Sequence, residues 1–141
     1  MKIIIIDYGA GNVQSVLNAI KEIDDQSEII VSNKLSDLKS ANYFILPGVG
    51  SFGDCMEGLK SVDGFLPELR NQILKYKKPF LGICVGMQVL ASLGFENGEH
   101  QGLGRFGAVH FRGERAGVMR NGMQAEHSLR DHAERTECAG H

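Results

Sequence analysis

The chain has 141 residues, 43% of them hydrophobic and 23% charged, and a formal net charge of −2. That length suffices for one domain with a real core, and the near-neutral balance gives no electrostatic case for nucleic acid or an anionic membrane surface. The apolar run near the start, Ile3–Ile6, is too short for a bilayer span or a signal peptide. The scattered cysteines Cys55, Cys84 and Cys138 suggest neither a disulfide framework nor a zinc site, so a reducing cytoplasm is the expected compartment.

In chain order, Ile3–Ile6 reads as a buried strand that closes in the turn cluster Asp7-Tyr8-Gly9-Ala10-Gly11-Asn12. Val13, Val16, Leu17, Ile20 and Ile23 then recur at helical spacing. Gly9-Ala10-Gly11 begins like a dinucleotide fingerprint, but Gln14 stands where the third glycine belongs, and Ser32-Asn33 replace the acidic residue after the second strand. Two readings of Asn12 remain: a helix N-cap, or a polar group presented to a substrate or partner. Glu28–Val31 and Tyr43–Leu46 are further strands, the second closed by Pro47-Gly48-Val49-Gly50.

The loop Pro47-Gly48-Val49-Gly50-Ser51-Phe52-Gly53 carries three glycines. It suits an oxyanion hole built from backbone N–H groups, and equally a plain turn after a strand. Asp54–Leu59 reads as a helix in which Cys55 serves packing. Phe65, Leu66, Leu69, Ile73 and Leu74 mark another helix, and Lys78–Ile83 supplies a strand. Strands alternating with helices predict an α/β fold with a doubly wound, mainly parallel sheet. Ligands in such sheets bind beyond the carboxyl ends of the strands, where Gly9–Asn12, Pro47–Gly50 and Cys84 all fall.

Gly82-Ile83-Cys84-Val85-Gly86-Met87-Gln88 is the most informative stretch. A cysteine between glycines at −2 and +2, after an apolar strand, has the pattern of a nucleophile elbow. Residues Val85–Leu93 have helical character, which would place Cys84 at a helix N-terminus, where unpaired N–H groups and the dipole favour the thiolate. The thiolate is the nucleophilic form. The bland alternative is a buried cysteine in a Gly-rich turn.

A composition break falls near Gly104. Every lysine lies at or before Lys78, every isoleucine precedes Gly104, and only Arg70 among the arginines does. From Arg105 onward the strong core formers are Phe106, Val109, Phe111, Val118 and Leu129 alone. Disorder or weak helix is therefore expected from about residue 113 onward. Within that stretch His132-Ala133-Glu134 has a His-x-Glu spacing but no preceding apolar strand.

The segments Asp7–Asn12, Pro47–Gly53, Gly82–Gln88 and Gly102-Leu103-Gly104 occur in the order and at the approximate spacing found in the class I glutamine amidotransferases, which residues 1 to about 104 closely resemble. Within that family the pattern is most like the glutaminase subunits of imidazole glycerol phosphate synthases, from histidine biosynthesis. It also shares much with subunits that feed ammonia to sugar-modifying enzymes. The resemblance implies that Cys84 attacks the side-chain amide of L-glutamine to form a γ-glutamyl thioester and release ammonia. It implies backbone N–H donors for the oxyanion at Val49 and Val85, and substrate contacts from Gly48, Gly50 and Gln88. It further implies a heterodimer with a (β/α)₈-barrel synthase subunit, which Asn12 would face, and no metal or organic cofactor.

The family completes a Cys-His-Glu triad from a His-Pro-Glu-type segment far beyond the cysteine, past the point where this sequence stops. The expectation is therefore a truncated amidotransferase domain over residues 1–111, followed by an atypical polar tail over 112–141 that is out of frame or otherwise replaced. Little or no glutaminase activity is expected of such a chain. Its alternatives are a non-catalytic remnant that docks on a synthase through Asp7–Asn12 and Pro47–Gly53, and a free-standing cysteine hydrolase or redox sensor.

Overall fold

A computed structural model describes residues 1–104, 106–112 and 115–118. Its centre is a four-stranded parallel sheet made of β1 (Lys2–Ile6), β2 (Glu28–Ser32), β3 (Tyr43–Gly48) and β4 (Phe80–Cys84), in the order β2-β1-β3-β4. The isoleucine run becomes the inner strand β1 because it can bury both of its faces. Side chains alternate across a strand, so Ile4 and Ile6 enter one apolar cluster while Ile3 and Ile5 enter another. A strand covered on both sides reads as a continuous apolar run rather than an alternating one.

Helix α1 (Val13–Ile23) covers the Ile3 and Ile5 face through Val13, Val16, Leu17 and Ile20. Helices α2 (Leu35–Ser40), α3 (Phe52–Lys60) and α4 (Phe65–Arg70) cover the other face with Leu38, Phe52, Met56, Leu59, Phe65 and Leu69. Helices therefore lie on both faces of the parallel sheet, the doubly wound α/β arrangement expected. The helix expected to run from Phe65 to Leu74 is α4 continued by a π-helical turn over Asn71–Lys75. Among the described residues β4 has no strand on its outer side, and its Leu81 is 57% exposed.

Two expectations do not hold. The helix expected over Val85–Leu93 is only α5 (Val85–Gln88), and Ala91–Phe95 is strand β5 of a second, mixed sheet. That sheet has the order β6-β5-β7-β8, with β6 (Glu99–Gln101), β7 (Phe106–Arg112) and β8 (Arg115–Val118). The helix stops because the returning segment takes its carbonyls. Leu103 N–H donates to Val89 O at 2.7 Å, Gly102 N–H to Ser92 O at 2.9 Å and Gly104 N–H to Ala91 O at 3.2 Å. Leu103, fully buried, anchors that return.

The second departure is β8. Arg115–Val118 lies where disorder or weak helix was expected, yet it pairs antiparallel with β7 from Val109↔Val118 to Arg112↔Arg115. Ladder hydrogen bonds satisfy the backbone there independently of how many core formers the segment carries. The boundary expected after Phe111 falls just before the end of β7. His132 and Glu134 lie outside the described residues.

Candidate active site

Cys84 ends β4 and immediately precedes α5, with φ +55° and ψ −123°. A non-glycine residue at positive φ is uncommon and must be held there by its surroundings. The flanking glycines show what holds it. A Cβ on Gly82 would strike the Gly86 carbonyl and the backbone of Met87, and one on Gly86 would strike the Leu46 carbonyl. The strand, the turn and the first residues of α5 thus meet where no side chain fits. The elbow presents Cys84 as an exposed free thiol, while Cys55, the other described cysteine, is buried in α3. The dipole support expected from a long helix is reduced, because α5 is a single turn and aligns few peptide units.

The Pro47–Gly50 loop is locked to this elbow. Gly48 pairs with Cys84 across β3 and β4, and a Cβ on it would lie 2.6 Å from Gly86 N. Gly50 takes φ +85°, which turns the chain into α3. Ser51 caps that helix, its Oγ accepting from Asp54 N–H at 3.1 Å. Val49, at the tip, is 54% exposed. The Gly9–Asn12 turn arrives from β1: Gly11 passes so close that an added Cβ would be 3.2 Å from Pro47 O. Asn12 realises its capping reading, with Oδ1 accepting from Ser15 N–H at 3.3 Å, and it stays exposed. Val85 is buried and Gln88, at the end of α5, is half-buried.

The three loops foreseen at the carboxyl ends of the strands are thus adjacent, and Cys84, Gly48, Gly50, Val49, Val85 and Gln88 belong to two of them. Three neighbours escaped the sequence reading. Tyr8 accepts the Val49 N–H on its hydroxyl at 3.1 Å. Glu96 accepts the Phe52 N–H at 2.9 Å, joining the β5–β6 turn to the start of α3. His100 Nε2 lies 3.1 Å from Glu96 O, and its ring sits over Gly53. Tyr8 could have been found from its place in the turn after the inner strand. Glu96 and His100 could not, because a helix was expected where β5 runs.

Burial pushes the Tyr8 hydroxyl up to about 12, and the neighbouring Cys55 adds to the rise. Burial likewise pushes the Cys55 thiol up to about 11. Both groups are therefore neutral at physiological pH. Among the described residues no group of three or more His, Cys, Asp or Glu could hold a metal ion, and no helix is long and apolar enough to cross a membrane.

A family model described as glutamine amidotransferase class-I matches residues 4–136. The chain belongs to the class I glutamine amidotransferase family. Relatives of this chain include the imidazole glycerol phosphate synthase subunit HisH of Pelagibacter ubique, 42% identical over 105 residues that cover 74% of this chain and 50% of that protein. The HisH subunit of Zymomonas mobilis is 46% identical over 101 residues, covering 71% of this chain and 47% of its own length. That of Aquifex aeolicus is 43% identical over 104 residues, covering 74% and 49% respectively. The chain thus spans about half the length of the curated relatives it matches.

Proposed function

We propose that the chain carries the glutamine-hydrolysing site of an amidotransferase that supplies ammonia to imidazole glycerol phosphate synthase, with Cys84 as nucleophile. The observation that carries the reading is the Cys84 elbow: an exposed thiol at φ +55°, at the carboxyl end of a parallel strand, beside the Gly48–Gly50 loop. The names of the relatives support the pathway.

In the proposed reaction a base takes the Cys84 proton and Sγ attacks the carboxamide carbon of glutamine. The C=O electron pair moves onto oxygen, where N–H donors at Val85 and Val49 would stabilise it. Collapse of the tetrahedral intermediate breaks the C–N bond, and ammonia leaves with a proton returned by the base. Water then adds to the γ-glutamyl thioester, releasing glutamate and restoring the thiol. Gly48, Gly50 and Gln88 would line the substrate, since the close approach of glycine backbone leaves room for it. Asn12 would face a (β/α)₈-barrel synthase subunit that receives the ammonia.

The test is mass spectrometry of the full chain incubated with L-glutamine, or with a diazoketone analogue of it. A γ-glutamyl or analogue adduct on the peptide holding Cys84, absent in Cys84→Ala, is the expected result. An adduct on Cys55, or none in the presence of the barrel subunit, would overturn the reading.

A further inference from the structure

Glu96 and His100 are carried by the second sheet, yet both reach the segment that joins β3 to α3. Glu96 sits in the turn between β5 and β6, and its Oε2 accepts the Phe52 N–H at 2.9 Å across a sequence separation of 44 residues. Phe52 is the first residue of α3, where an N–H has no helical carbonyl to bond. His100 holds the turn that carries Glu96. Its Nε2 lies 3.1 Å from Glu96 O, and a carbonyl can only accept, so Nε2 carries the proton and donates it. The ring also has a fitted seat. His100 pairs with Gly94 across β5 and β6, and a Cβ on Gly94 would lie 2.6 Å from the Phe52 ring. The Phe52 and His100 rings are 6.4 Å apart. A Cβ on Gly53 would lie 2.8 Å from His100 Cε1, so α3 admits the imidazole only because residue 53 is glycine.

We propose that His100 is a positioning residue: by holding Glu96 on the Phe52 N–H it fixes the Gly50 end of the loop, and so sets the affinity of the site for glutamine. The inference rests on the reading of Cys84 and the Gly48–Gly50 loop given above. The two ends of that loop are held by different means. Gly48 pairs with Cys84 and is wedged against Gly86, so the elbow fixes it. Gly50, at φ +85°, follows the start of α3. Burial of Phe52, Met56 and Leu59 holds α3 in the core, but burial has no direction. A hydrogen bond does. The Ser51 cap on Asp54 N–H lies within the helix and moves with it, whereas Glu96 comes from the other sheet and is an outside anchor. Loss of the His100 contact therefore loosens the Gly50 end and leaves the Cys84 elbow intact. A loosened segment must be ordered when glutamine binds, which weakens binding.

The experiment follows labelling of Cys84 by the diazoketone analogue of glutamine, in the full chain with the barrel subunit present. It compares the unaltered protein, His100→Ala and His100→Gln. The concentration dependence separates the half-saturating concentration from the limiting rate. His100→Ala is expected to raise the half-saturating concentration about two- to tenfold, the worth of one neutral hydrogen bond, with the limiting rate little changed. His100→Gln, whose amide can donate to Glu96 O, is expected to recover most of the affinity. Alkylation of Cys84 by iodoacetamide, which needs no loop, is expected to be equal in all three. If His100→Ala unfolds, as alkylation of the buried Cys55 would show, His100→Leu fills the seat without a donor and takes its place. An unchanged half-saturating concentration, a loss confined to the limiting rate, or a His100→Gln protein no better than His100→Ala would overturn the proposal while leaving the role of Cys84 intact. If no protein is labelled at Cys84 even with the barrel subunit, the reading of Cys84 fails and the role of His100 fails with it.

Discussion

Cys84 and Cys55 are the same residue in opposite settings. Cys84 is exposed at the end of a strand, in a backbone conformation that L side chains rarely adopt, and glycines surround it because nothing larger fits. Cys55 is buried within α3, in ordinary helical geometry, with burial raising its thiol to about 11. The difference teaches that the display of a thiol here comes from the turn that carries it. The same turn is where steric tolerance is smallest, whereas the Cys55 region behaves as core.

The sharpest way to break this contrast is Gly86→Ala. Its methyl group would overlap the Leu46 carbonyl, which belongs to a β-strand and cannot move aside cheaply. A loss of about 3 kcal/mol or more is expected, since backbone overlap exceeds ordinary overpacking. Urea unfolding of the variant measures it, and a loss under about 1 kcal/mol would contradict the tight elbow.

Next in size is the alkaline response of the Cys55 region. Its thiol titrates near the ordinary 9.0 when unfolded and near 11 when folded. Between those values the unfolded chain has released the proton and the folded one has kept it. Stability is thus complete below the lower value and falls as pH rises through the window, with a slope of up to about 1.4 kcal/mol per pH unit. Denaturation midpoints from pH 8 to pH 11 should show the fall, and Cys55→Ala should flatten it. An equal fall in Cys55→Ala would assign the effect to other groups, Tyr8 among them.

Smaller, and opposite in sign, is the effect of Cys84→Gly. Relief of the positive φ should raise stability by about 1 kcal/mol while abolishing thioester formation. A destabilised Cys84→Gly protein would mean that the thiol contributes packing after all. The smallest effect belongs to Asn12→Ala at the start of α1, which removes one side-chain cap worth about 0.5–1 kcal/mol. Thermal unfolding resolves that loss. Binding of the barrel subunit to Asn12→Ala, weakened by more than the loss of stability explains, would separate a partner-facing role from capping.

Much of the parallel half of the molecule is legible in the amino-acid sequence. The continuous isoleucine run of β1 announces a strand buried on both faces, and the spacing of Val13, Val16, Leu17 and Ile20 announces its covering helix. The glycines at 82 and 86 announce the elbow, because only a close approach of backbone to backbone gives them a reason. Val89, Leu90 and Ala91 mislead because a short apolar stretch has no period that separates helix from strand.

Local sequence by itself determined the elements whose cause lies within a few residues: the inner strand, the amphipathic α1, the Asn12 and Ser51 caps and the Gly-Cys-Gly turn. Only the tertiary structure decided what depends on distant partners. Leu103, Gly102 and Gly104 take the carbonyls that would have continued α5, and β7 recruits Ala91–Phe95 into a second sheet. Tyr8 reaches Val49 because β1 and β3 are neighbours in the sheet, a fact of strand order and not of local spacing. A backbone group bonds to whichever partner the fold delivers, and hydrogen-bonding capacity alone does not say which one arrives.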